Sequence, residues 1–309
     1  MPRGAATGVA ADEFAMRAGR TPRGSGDDGR VLADVVDHLA CPVCRDGLTL
    51  TPGAVRCPRG HAFDVARQGY VSLLTGSAAP GTADTPAMVA ARERFLGAGH
   101  YAPLAERVAG LAAELRTDRP GLTVDAGAGT GHLLARVLDA AGGAGLALDI
   151  SKHAIRRAAR AHPRIGAVVA DVWRPLPVRD ARAALLLNAF APRNGPEFAR
   201  LLAPGGHLLV VTPAPGHLGE LIDRLGLLSV DEEKDRRLAA TLSGHFRQIA
   251  QIPVETEITL DHAAVEAVVG MGPSAWHTDP GVLRERVGGL PEHIRVPGLF
   301  RITIWKPVR

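Results

Sequence analysis

From residue 122 onward the apolar positions switch between two periods. Short apolar runs at 122–125, 145–150, 167–170, 183–188 and 207–212 read as buried strands. Between them, 132–141, 152–161 and 197–202 carry apolar residues at helical spacing. Ser151 stands at an N-cap position, and Pro204-Gly205-Gly206 turns the chain into the fifth strand. Strands alternating with helices predict an α/β fold, a parallel sheet covered on both faces. Residues 217–247 read as mostly helical, with a charged stretch at 231–237. Residues 252–260 alternate as a long strand, 263–269 as a helix and 300–306 as a terminal strand. The two late strands predict an antiparallel hairpin at the sheet edge. No internal repeat is found.

Upstream the pattern is more broken. Residues 31–39 have apolar positions at helical spacing. Residues 41–74 read as a small knuckle: a turn at 41–44, alternation at Leu48 and Leu50, a second turn after Arg56, and a closing strand or hairpin from Phe63, Val65 and 70–74. So small a segment buries too little apolar surface to fold alone. Residues 75–87 are loop-like, 88–95 helical, and Pro103 opens a helix reaching 115. Residues 1–30 have no sustained period and no apolar core of a signal peptide. They are expected to be a disordered tail, with one helical turn near 12–18.

Composition narrows the class. The chain has 309 residues, 46% hydrophobic and 22% charged, enough for one large domain and a small one. Aromatics at 4% leave the core to aliphatic residues. The net charge of +4 permits a nucleic-acid partner without demanding one. The run KHAIRRAARAHPR at 152–164 holds five Lys/Arg and no acid, and also reads as a solvated helix face. Three cysteines make no disulfide framework, and no run reaches the ~20 apolar residues of a membrane span. The cytoplasm is the expected location, with no membrane partner.

All three cysteines lie in Cys41-x2-Cys44-x12-Cys57-x3-His61. Zinc takes four tetrahedral N/S ligands, and two close pairs let the chain fold back over one ion. Four protein ligands leave no open position, so a structural site is expected. The bland alternative is three free thiols and a surface histidine.

The second motif is Asp125-Ala-Gly127-Ala-Gly129-Thr130-Gly131, between a strand and a helix. The dinucleotide fingerprint spaces its glycines G-x-G-x-x-G. Here the spacing is G-x-G-x-G behind an acid. This suits a cofactor without a pyrophosphate, whose amino-acid end carries an ammonium and a carboxylate; S-adenosylmethionine fits. Asp149, 18 positions after Gly131, closes the next strand and is placed for ribose hydroxyls. Asp171 is placed for the adenine amino group. Asn188-Ala-Phe-Ala-Pro192 ends the fourth strand, at the edge where ligands of open α/β sheets bind. Asn188 offers a base edge a donor and an acceptor, and Phe190 a stacking face; a capping turn and a core phenylalanine are the alternative. Asp84 is a candidate proton acceptor. Tyr101 and His217 are isolated loop residues with no role fixed by spacing.

Several segments carry a family resemblance: CPRGHAFDVARQGYVSLL (57–74), MVAARERFLGAGHY (88–101), SKHAIRRAARAHPR (151–164), NAFAPRNGPE (188–197) and MGPSAWH (271–277). From about Cys41 to the C-terminus the chain resembles the RlmA-type 23S rRNA guanine-N1 methyltransferases, nearest the tylosin- and mycinamicin-resistance branch. That branch has asparagine at the position of Asn188, where the enterobacterial branch has a basic residue. The first 30 residues lie outside the resemblance, and Met16 is a candidate start.

The resemblance implies a class I (Rossmann-like) S-adenosylmethionine-dependent methyltransferase fold with an N-terminal zinc knuckle. The expected divisions are a tail at 1–30, a zinc-binding domain at 31–76, a helical linker at 77–120 and a methyltransferase domain at 121–309. It implies structural zinc at Cys41, Cys44, Cys57 and His61. It implies cofactor contacts from Tyr101, the Gly129-Thr130-Gly131 loop and His217, beside Asp125, Gly127, Asp149 and Asp171. The expected substrate is a hairpin-loop guanine of 23S rRNA near the macrolide tunnel, with Asn188 as catalytic candidate and a homodimer as the assembly. Arg45, Arg56, Arg59 and Arg67 are expected to turn the knuckle toward RNA. The rivals are a small-molecule methyltransferase of antibiotic biosynthesis and a non-enzymatic RNA-binding protein.

Overall fold

The computed structural model describes residues 30–76, 83–116, 121–227, 240–276 and 279–308. The expected tail, apart from Arg30, and the charged stretch at 231–237 lie outside them. The chain opens with α1 (Arg30–Ala33), a 3-10 turn (Val36–His38), β1 (Thr49–Thr51), β2 (Ala54–Arg56), β3 (Ala62–Asp64) and β4 (Tyr70–Ser72). Next come α2 (Pro86–Gly97), α3 (Ala102–Arg116), β5 (Leu122–Ala126), α4 (His132–Ala141), β6 (Gly145–Asp149), α5 (Lys152–Ala161) and β7 (Ile165–Val169). They are followed by β8 (Ala183–Ala189), α6 (Gly195–Leu201), β9 (Leu202–Pro213) and α7 (Gly219–Leu225). The chain closes with β10 (Phe246–Asp261), α8 (His262–Gly270), a 3-10 turn (Pro273–Trp276), α9 (Pro280–Gly288) and β11 (His293–Pro307).

Eight strands form one sheet in the order β10-β11-β9-β8-β5-β6-β7-β4. The strands from β9 to β4 run parallel, and β11 and β10 add the antiparallel hairpin. The strand order reverses between β5 and β8. Both strands end there at the carboxyl edge, the place where open α/β sheets bind ligands.

Several elements differ from their sequence expectation for local reasons. Residues 31–39 break into the end of the short α1, a turn and a 3-10 segment, because Val35, His38 and Leu39 donate three residues back, to Leu32, Val35 and Val36. Of the expected helical span 217–247, α7 is the only full helix in the described part, and Phe246 already belongs to β10. β11 begins at His293 despite Pro297-Gly298, since β9 pairs with it only as far as Phe300; beyond that β10 is its strand partner, and the Leu218 amide donates to the Pro297 carbonyl. α9 has no counterpart in the expected pattern. Asp279 caps it, accepting from the amides of Gly281 and Val282, and Pro280 takes the first turn.

The knuckle is joined to the large sheet more closely than a separate domain would be. β1, β2 and β3 form a small antiparallel sheet. β4 leaves it and pairs with β7, through Tyr70–Ala167, Val71–Val168 and Ser72–Val169. One face of the main sheet, with Ala147, Leu185, Leu187 and Leu209, packs under helical residues such as Val108, Leu134 and Ile155. On the opposite face Leu146, Leu148, Val168 and Leu186 share a core with Leu32, Val35, Leu39, Cys41, Leu48 and Val55 of the N-terminal segment. Residues 170–182, which lead from β7 to β8, contain no helix. The knuckle therefore supplies the layer that a crossover helix ordinarily provides.

Gly166 of β7 lies directly under Val35, whose side chain a Cβ there would strike. Gly166→Val should destabilise the protein by about 1–3 kcal/mol through overpacking, read by urea unfolding. An unchanged midpoint would show that Val35 does not pack on β7.

Candidate active site and metal centre

Two turns build the metal centre. Cys41 accepts from the Arg45 amide and donates its own amide to Asp46, while the Cys57 amide donates to His61 and the Gly60 amide to Cys57. Each turn presents two ligands inward. The four ligand atoms lie within 4.8 Å of one another. Cys44 Sγ and Cys57 Sγ are 3.7 Å apart, and His61 Nδ1 lies 3.2 Å from Cys57 Sγ and 3.6 Å from Cys41 Sγ. A disulfide needs about 2.05 Å. A tetrahedron with Zn–S bonds of about 2.3 Å has sulfur–sulfur edges of about 3.8 Å, so the spacing fits zinc.

The knuckle arginines do not act alike. Arg45 takes a positive φ of 66° and donates to the carbonyls of Leu176 (2.8 Å) and Val178 (3.1 Å). It fastens the knuckle to the β7–β8 connection while the residue stays exposed. Arg59 pairs with Asp46 at 2.8 Å on the surface. Arg56 and Arg67 are exposed.

The glycine loop leaves β5 at the switch point. Gly127 has φ 85°, and a Cβ there would strike Ala191 of the loop after β8. Only glycine suits both the backbone and the contact. Asp149 ends β6, and its carboxylate oxygens accept from the amides of Gly129 and Ser151, both at 2.8 Å. Each oxygen keeps a lone pair for a ligand hydroxyl. Asp125 is buried, with Oδ1 unpartnered. Burial, with Asp149 nearby, pushes its carboxyl up to about 7. Thr130 is buried in the loop. Asp171 follows β7 and accepts from the Trp173 amide at 2.9 Å, while Trp173 is 62% exposed.

Tyr101 and His217, far apart in sequence, meet. Leu299 donates its amide to His217 Nδ1 at 3.1 Å, so in the neutral ring the proton sits on Nε2 and is donated to Tyr101 Oη at 3.0 Å. Burial lowers His217 to about 4 and pushes the Tyr101 phenol up, so both stay neutral. Phe300 of β11 packs edge-on to Tyr101 at 4.9 Å and lies 4.6 Å from His217. Sequence spacing carries no signal for Phe300 or the Leu299 amide, because the hairpin brings them from the far end of the chain.

Asn188 departs from its expected role. It is buried, and Nδ2 donates to the carbonyls of Ala126 and Pro192, both at 2.9 Å. Its donor is thus committed to the protein, and Oδ1 is buried without a partner. The side chain ties the β8 loop to the end of β5 and presents no amide hydrogen to a base. Phe190 is the outward residue, 50% exposed at φ 54° and 6.0 Å from Phe300. Asp84 is half-buried beside Arg92 at 2.8 Å, and desolvation outweighs that cation to raise its carboxyl.

Residues 39–76 match the zinc-ribbon family described as RlmA, N-terminal. The chain is 52% identical over 277 residues to the 23S rRNA (guanine(748)-N1)-methyltransferase of Streptomyces fradiae, covering 89% of this chain and 99% of that one. It is 53% identical over 293 residues to a candidate 23S rRNA (guanine-N1)-methyltransferase of Micromonospora griseorubida, with the same coverage. The chain belongs to the RlmA-type 23S rRNA (guanine-N1)-methyltransferase family. Among solved structures it is similar to a methyltransferase of Thiobacillus denitrificans in complex with S-adenosylhomocysteine (16% identity, TM-score 0.44, 66% of this chain and 91% of that one). The strand order given above carries the fold assignment: a class I, Rossmann-like sheet with a zinc ribbon.

As a member of this family the enzyme uses S-adenosylmethionine, and zinc structurally. The switch-point residues fit the donor: the orphaned Asp125 carboxylate suits an ammonium, and Asp149 a pair of hydroxyls. The Asp125 shift has two consequences of opposite sign. Its folded value near 7 exceeds the ordinary 3.8, so its contribution to the stability of the ligand-free protein is full below about pH 4 and gone above about 7. An ammonium needs the ionised form. S-adenosylhomocysteine should bind roughly tenfold tighter per pH unit between about 5 and 7, then level off. Asp125→Asn should flatten that profile, and calorimetry showing a flat wild-type profile would contradict the assignment.

Proposed function

We propose that the enzyme transfers the methyl group of S-adenosylmethionine to N1 of a hairpin-loop guanine in 23S rRNA, beside the macrolide-binding tunnel. In this reading it protects the ribosome against macrolides of the tylosin and mycinamicin type. The supporting observation is the identity of 52% with the Streptomyces fradiae enzyme over 99% of that protein, ribbon included. A small-molecule methyltransferase has no use for a ribbon carrying exposed Arg56 and Arg67.

Neutral guanine holds a proton on N1, and the lone pair there is delocalised. The protein must fix N1 in line with the methyl donor and let the proton depart. A loop guanine is already partly unstacked, so extruding it costs little. Phe190 is the stacking face for that base, at the carboxyl edge beside the glycine loop. Asn188 is a positioning residue that holds the Phe190–Pro192 turn against β5. Tyr101, Asp125, Gly127, Gly129, Thr130, Gly131, Asp149, Asp171 and His217 hold the donor. Cys41, Cys44, Cys57 and His61 hold zinc. Arg56 and Arg67 contact RNA phosphates, and two copies clasp the hairpin as a homodimer in the cytoplasm. The functional divisions are the ribbon at 31–76, a linker at 77–120 and the methyltransferase domain at 121–309. No helix among the described residues is long and apolar enough to cross a membrane.

The test incubates the zinc-loaded protein with the 23S rRNA hairpin and labelled S-adenosylmethionine. Label should enter the RNA, and primer extension should stop at one loop guanine, since an N1 methyl blocks pairing. Phe190→Ala should lower kcat/KM for RNA about 5- to 150-fold, the worth of one stacked base, with S-adenosylhomocysteine affinity unchanged. Absence of a stop, with label in a small molecule instead, would favour the biosynthetic alternative.

A further inference from the structure

Arg92, in the middle of α2, points its guanidinium at the glycine loop. An ideal Cβ on Gly129 would lie 2.9 Å from Arg92 Nη1 and 3.5 Å from its Cδ. The other terminal nitrogen, Nη2, pairs with Asp84 at 2.8 Å and donates to the Met271 carbonyl at 2.9 Å. Those two contacts aim the planar group and leave Nη1 toward the loop. The side chain is 27% exposed, so it is shielded but reachable. The clamp is anchored on the cofactor side of the sheet: the Asp84 carbonyl accepts from Ser151 Oγ at 2.8 Å, and the Ser151 amide donates to Asp149. Asp149 itself feels the Arg92 charge.

The amino-acid end of the methyl donor is a zwitterion. The orphaned Asp125 carboxylate before the loop suits the ammonium. The carboxylate needs a donor of opposite charge within reach of the same loop, and a guanidinium binds carboxylates with directed N–H groups. We propose that Arg92 binds the carboxylate of the cofactor through Nη1, with Asp84 and the Met271 carbonyl acting as positioning groups that aim it. The inference rests on the cofactor reading and is independent of which RNA is methylated.

Two ligands separate binding from mere structural clamping. S-adenosylhomocysteine carries the amino-acid end, and 5′-methylthioadenosine has the same adenosine and thioether without it. Both are titrated calorimetrically, without RNA, into the full-length zinc-loaded protein. Arg92→Met should weaken S-adenosylhomocysteine about 10- to 100-fold, the worth of a hydrogen bond to a charged group, and leave 5′-methylthioadenosine unchanged. If that variant fails to fold, Arg92→Lys keeps the charge beside Asp84 and should show a smaller loss confined to the same ligand. Equal changes for both ligands, or an unchanged affinity for S-adenosylhomocysteine, would overturn the assignment. Failure of RNA methylation with intact selective binding would instead count against the RNA reading.

Discussion

The cluster of Cys41, Cys44, Cys57 and His61, spaced for one tetrahedral zinc ion, is the constraint on which the rest of the molecule depends. The ribbon strands are three residues long, and so short a sheet cannot hold itself together by burial. Ion binding supplies the missing free energy of folding. Once fixed, the ribbon segment presents Leu48, Val55 and Cys41 alongside Leu32, Val35 and Leu39, and these cover β6 and β7 where no crossover helix exists. The chain leaving the ribbon then becomes β4, the outermost parallel strand. Metal coordination and sheet closure are thus one cooperative structure, with Arg45 as the cross-link on the far side of the ligand turn.

The catalytic edge is organised by charge and burial together. Three carboxylates, Asp84, Asp125 and Asp149, are all held above the ordinary carboxylate range by burial. Arg92 is the cation among them. A second, neutral group is the aromatic cluster of Tyr101, His217, Phe300 and Phe190. A zwitterion at the carboxylate end and a flat base at the aromatic end match those two halves. The antiparallel hairpin is what builds the second half, because β11 carries Phe300 and the Leu299 amide to the end of β9.

Much of this was legible from local pattern. Gly131, Ser151 and Gly142 bound α4 and α5, and both helices begin and end where the spacing places them. The metal ligands and the Asp125–Gly131 loop were legible because each needs only a short spacing. What was not legible is non-local. A three-residue strand such as β4 carries no mark of its partner. Asn188 reads equally as a ligand or a pin, and its two carbonyl partners commit its amide donor, though not Oδ1, to the pin. Arg45 and Arg56 are alike in sequence and both exposed, yet Arg45 also bonds the carbonyls of the β7–β8 connection. The Pro297-Gly298 pair reads as a break until β9 is seen to end before it, so that no neighbouring strand needs the missing proline N–H.

The union of ribbon and sheet is tested most directly by amide hydrogen exchange of the zinc-loaded protein before and after chelation. Removing the ion should abolish protection in 49–64 and also strip it from β4 and β7, at Val71, Ala167 and Val168, while β8 and β9 stay protected. Loss confined to the ribbon, with β7 exchanging as slowly as before, would contradict the claim that the metal holds the outer layer of the methyltransferase sheet.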